Sequence, residues 1–120
     1  MRFLCLYRPG TATENDNPPT QDEIQRMGKL IQEMSQAGVL LATEGCRSSA
    51  HGARVRYDDG EFRVTDGPFP ETKELIAGMC LLQVKNKAEA IEWTKRFLAA
   101  VREGEGEIRL LNEAPGALGT

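Results

Sequence analysis

Histidine is almost missing from this chain of 120 residues: His51 is the only one. With no HxH or HExxH grouping and only Cys5, Cys46 and Cys80 as scattered thiols, no first coordination shell for a metal is visible, and none is expected. The three cysteines are odd in number and form no CxxC, so they read as reduced thiols rather than a disulfide framework. Cys46 has no base near it in sequence, which argues against a nucleophile there. Aromatics are sparse and the net charge is -3, with pI near 5.2, so there is no basic stripe for a phosphate backbone. Nucleic acid is not an expected partner. Long apolar runs are also lacking. Met1 to Arg8 is too short for a secretory core or a membrane span, which gives the expectation of a cytoplasmic protein with no membrane contact. Gly104-Glu105-Gly106 and Gly116-Ala117-Leu118-Gly119 lead into no helix that could hold phosphates, so no nucleotide cofactor is expected.

What is present is periodicity. Residues 2 to 8 place Phe3, Cys5 and Tyr7 on one face and Leu4 and Leu6 on the other, predicting a short strand buried on both sides. A long polar segment, Pro9 to Pro19, follows. Thr20 and Glu23 have capping-box spacing, and Ile24, Met27, Leu30, Ile31 and Met34 form a helical stripe, predicting a helix from Gln21 to Ala37 closed by Gly38. Val39 to Ala42 begin a second strand. Arg54–Tyr57 and Glu61–Thr65 flank Asp58-Asp59-Gly60, a hairpin signal. Met79 to Val84 form another two-sided apolar strand, Asn86 and Glu89 cap a second helix ending before Gly104 or Gly106, and Ile108 to Leu111 close the pattern.

The order strand, helix, strand, hairpin, strand, helix, strand predicts an α+β, ferredoxin-like βαβ-hairpin-βαβ domain over residues 1–113. Its sheet is antiparallel, with both helices on one face. Residues 114–120, small and Gly/Pro-containing, have nothing to bury and are expected to form a flexible tail. Apolar residues on the sheet's other face need a cover, and the expected partner is a second copy packed sheet to sheet.

Between the hairpin and the next strand lies Asp66-Gly67-Pro68-Phe69-Pro70-Glu71-Thr72-Lys73-Glu74. Gly67 offers conformational freedom and the prolines restrict their own φ and that of the residue before, so the path is well determined and Asp66 can be aimed. Asp66 and Glu71 are candidates for a carboxylate acid–base pair. The plainer role for Asp66 is to bond its own turn, and for Lys73 and Glu74 to form local ion pairs. His51, in a segment that reads as loop, is a further proton-transfer candidate.

This motif, with Gly78 and an apolar strand after it, Thr43-Glu44-Gly45 upstream and Ala88-Glu89-Ala90-Ile91-Glu92-Trp93 downstream, resembles the YCII-related, or DGPF-motif, family over nearly the whole chain. The resemblance implies a ferredoxin-like fold paired as a dimeric α/β barrel. Some shorter relatives carry a histidine on the first helix paired with an aspartate. Asp66 matches that aspartate, but Gln21 to Ala37 contains no histidine. Two functions follow as expectations. One is a small cofactor-independent enzyme or binding protein for a small organic ligand near the motif, with acid–base catalysis by Asp66, Glu71 or His51 and ligand contacts from Arg54, Arg56 and Phe69. The other, implied by relatives found beside extracytoplasmic-function sigma factors of bacteria, is a non-catalytic regulatory or interaction module.

Overall fold

The computed structural model describes residues 1–10, 16–71 and 75–113. Residues 11–15 of the polar segment, Thr72, Lys73 and Glu74, and the tail 114–120 therefore lie outside the described residues. The elements are β1 (Arg2–Arg8), α1 (Gln21–Gln36), β2 (Leu40–Gly45), β3 (Ala53–Asp58), β4 (Glu61–Asp66), β5 (Gly78–Gln83), α2 (Lys87–Val101) and β6 (Glu105–Leu110). Strands β2, β5, β1 and β6 form one sheet in that order, every neighbouring pair antiparallel. This is the ferredoxin-like order, with the two βαβ units interleaved.

Both helices start where the capping residues predict. The Thr20 hydroxyl accepts from Glu23 N at 3.2 Å, and the Asn86 side chain accepts from Glu89 N at 2.9 Å while Glu89 reaches back to Lys85 N at 2.8 Å. Each cap satisfies amide donors that have no partner inside the helix. Gly38 takes φ +72° after α1. At the end of α2 the left-handed residue is Arg102, φ 66°, rather than a glycine; its N–H bonds Leu98 O at 2.7 Å. Gly106 lies inside β6. A Cβ there would stand 2.6 Å from Thr94 Cγ2, so the glycine lets α2 settle onto the sheet.

Alternation along β1 and β5 sorts the sheet into two faces. Phe3 and Leu82 point to the helices and join Leu30, Met34, Val39, Val84 and Ala90 in the core, with Trp93, Phe97 and Ile108 packed around them. Tyr7 meets Phe97 edge to face, centroids 5.2 Å apart. Leu4, Leu6, Met79 and Leu81 take the opposite face and are only half-buried. Arg8 pairs with Glu107 at 2.9 Å, and Glu107 with Arg109 at 3.0 Å. The two-sided character read from the sequence is present, with one side carrying no helix.

The hairpin does not join this sheet. Strands β3 and β4 form a separate two-stranded ribbon, turned at Asp59 and Gly60, both at positive φ as a two-residue hairpin turn requires. Val55 faces Val64 and Tyr57 faces Phe62 across the ribbon, and these four side chains remain between 65% and 72% exposed. Every residue of both strands is exposed.

Candidate functional site

Chain direction after β2 sets up the site. Cys46 N is tied to Ala77 O at 2.8 Å, and a single 3-10 turn, Ser49–His51, then reverses the backbone before β3. The segment leaving β4 returns to that turn: Gly67 N donates to Gly52 O at 2.9 Å, and Phe69 N donates to the Ser49 hydroxyl at 2.9 Å. Gly67 is needed here for space rather than for unusual φ. A Cβ on it would overlap the Ser49 carbonyl. The Gly67–Pro68 peptide is cis.

Asp16 enters from the polar segment before α1. Its Oδ1 accepts from Ser48 N at 2.8 Å, its Oδ2 from the Ser48 hydroxyl at 2.9 Å, and Oδ2 also lies 3.2 Å from His51 Nε2. The Ser48 amide and hydroxyl, with smaller help from His51, hold the Asp16 carboxyl below the usual carboxylate range. A carboxyl lowered in the folded state adds stability above its unfolded value, and this is lost as pH falls through the folded value. At neutral pH the network is complete. With Nε2–H assigned to Asp16, Nδ1 is the ring nitrogen that can take or give a proton.

These groups open onto a cleft of about 520 Å³ lined by Arg47, Ser48, Ser49, His51, Gly52, Arg54, Phe69, Leu75 and Ile76. The Arg54 guanidinium lies over the Phe69 ring, 3.9 Å from its centroid, and 3.7 Å from Glu71 Oε2. Arg47 Nε is 3.9 Å from Asp16 Oδ1. Two cations, a histidine with a fixed carboxylate and an aromatic ring thus share one opening. Such a set can hold an organic anion by charge and face contact while a proton moves.

Of the residues picked from the sequence, His51, Arg54 and Phe69 come together here, and Glu71 joins through Arg54. Arg56 stands on the exposed ribbon opposite Arg63. Asp66 ends β4 opposite Ala53, is exposed, and makes no hydrogen bond or ion pair among the described residues. Asp16 was not singled out, and neither were Ser48 and Ser49. Asp16 and His51 are 35 positions apart in the chain, so no local spacing announces their contact; the Ser48-Ser49-x-His51 turn is the nearest sequence signal. Among the described residues no group of three or more His, Cys, Asp or Glu side chains is placed to hold a metal ion. No helix among them is long and apolar enough to cross a membrane.

A second, apolar cavity of about 360 Å³ lies between the sheet and the two helices and contains none of these residues.

A family model described as the YCII-related domain matches residues 1–113. No curated protein matches the chain. Among solved structures, 5-chloro-2-hydroxyhydroquinone dehydrochlorinase from Burkholderia phenoliruptrix AC1100, in complex with 2,5-dihydroxybenzoquinone, is similar over 93% of this chain and 94% of its own, at 10% identity and a TM-score of 0.46.

Proposed function

From the premise that the chain belongs to the YCII-related family, we propose that it binds a small organic anion in the cleft beside the Gly67–Phe69 corner and exchanges a proton with it through His51. The observation that carries this reading is the Asp16–His51 contact at 3.2 Å, with Asp16 itself pinned by Ser48, next to the Arg54–Phe69 stack. Asp16 orients the imidazole. Arg54 and Arg47 supply the charge that an anion needs, and Phe69 a flat apolar surface. The acid–base role falls to His51 rather than to Asp66, whose carboxylate stands outside the cleft lining.

Titration of the protein with a panel of small aromatic and aliphatic carboxylates, followed by calorimetry, checks the reading. Arg54→Ala is expected to weaken the tightest of these about tenfold or more, the range for losing one charged contact near a surface. His51→Gln should preserve binding, because Arg54 and Arg47 carry the charge that holds the anion, and abolish proton exchange with it. Equal affinity for carboxylates and their neutral amides would sink the proposal.

The same reading includes a second copy as partner. An isolated two-stranded ribbon is marginal in water, and the bare face of Val55, Tyr57, Phe62 and Val64 adds to the half-buried outer sheet face. A two-fold pair covers both without forming fibres. Sedimentation at micromolar concentration should give twice 13.3 kDa, and the double change Tyr57→Lys, Phe62→Lys should return it to 13.3 kDa with the circular dichroism spectrum kept. A wild-type chain already sedimenting at 13.3 kDa counts against it.

A further inference from the structure

The apolar cavity between sheet and helices holds two thiols that the cleft does not use. Cys5 and Cys80 are register partners on β1 and β5. Met1 and Val84 exchange both backbone bonds, each 2.8 Å, and the antiparallel alternation carries this pattern inward two residues at a time to Cys5 and Cys80. Both side chains therefore leave the sheet together on the helix side. Both line the cavity. Thr94 stands above them, its hydroxyl donating to Ala90 O at 2.8 Å and lying 3.9 Å from Cys5 Sγ.

We propose that the Cys5–Cys80 pair is a covalent capture site for a small uncharged electrophile, an α,β-unsaturated carbonyl compound bound in the apolar cavity. The cavity's size falls within the range that holds a small ligand, about 300–1,000 Å³. Its walls include Met27, Met34, Trp93 and Phe97, and among the described residues no cationic side chain lines it. That composition admits an apolar neutral molecule and disfavours an anion, the reverse of the cleft. Soft sulfur nucleophiles prefer conjugated carbon.

The Cys80 S–H bonded to Cys5 brings the Cys5 thiol down to about 7 against the opposing effect of burial, and the partner thiol is raised. The Cys5 thiolate therefore grows in as pH rises through about 7, with Cys80 keeping its proton. In the step, Cys5 S⁻ forms a C–S bond at the β-carbon, and the C=C electron pair moves into the carbonyl to give an enolate. The Cys80 S–H supplies the proton that ends on the α-carbon, and water reprotonates Cys80. The product is a thioether, and no oxidant or reductant enters.

The test uses the full chain carrying Cys46→Ser, which removes the exposed thiol, with N-phenylmaleimide as the neutral probe and 3-maleimidopropionate as its anionic counterpart. Intact mass and peptide mapping of the folded protein should show one adduct, at Cys5. Its rate should rise with pH through a midpoint near 7 and exceed that of the anionic probe about tenfold, since thiolate fraction and access together set the rate. Cys80→Ala, or Cys80→Val if the alanine variant does not fold, removes the donor and should move the midpoint upward toward an ordinary thiol, which a merely structural role for Cys80 would not do. Labelling only after unfolding, equal rates for the two probes, or an unmoved midpoint in the folded Cys80 variant would each overturn the proposal.

Discussion

Leu82→Ala is expected to destabilise the protein by roughly 2–5 kcal/mol, toward the upper part of the range for buried leucine truncation. Leu82 is the most completely enclosed large side chain, 1% exposed, on central strand β5 opposite Phe3. It also lines the existing apolar cavity. Truncation would therefore enlarge a space that is already present, and the rigid sheet on one side and two helices on the other leave little room to collapse into it. Urea unfolding followed by circular dichroism measures the change. A loss below about 1 kcal/mol would show that the core closes over the gap.

Gly67→Ala carries the second large effect, roughly 1–3 kcal/mol of overpacking or more. Its Cβ would enter the Ser49 carbonyl, a backbone group that no side-chain rotation can move away. The strand-to-turn clamp made by Gly67 N and Gly52 O, and the Phe69 N bond to Ser49, should loosen together. Carboxylate binding in the cleft is then expected to fall along with thermal stability, although Gly67 contributes no side chain to it. Unfolding midpoint and ligand titration on the same variant provide the check. A variant that keeps both would mean that the corner moves freely, and would remove the reason given for glycine at this position.

The contrast between these two residues shows what was readable beforehand. Leu82 could be placed in the core from its alternation with Leu81 and from the apolar run around it. Gly67 was noticed, but for conformational freedom; its actual constraint is the approach of Ser49, eighteen positions earlier in the chain, which no local pattern encodes. His51 was legible as a rare titratable group in a loop. Its partner was not: Asp16 looked like one acidic residue among several polar ones until the fold brought its carboxylate to Ser48 and His51. The hairpin was legible from Asp58-Asp59-Gly60, yet nothing in the alternation of Val55, Tyr57, Phe62 and Val64 said that the ribbon would leave the sheet, because an apolar stripe looks the same whether it faces a core or water.

Sequence by itself determined the elements and their order, because helix caps, a two-residue turn and apolar periodicity act between residues only a few positions apart. Tertiary structure alone decided which groups meet: Asp16 with His51, Gly67 with Ser49, Cys5 with Cys80. Those encounters depend on strand register and on the path of the connections, which are set by packing across the whole domain rather than by any neighbouring stretch of chain.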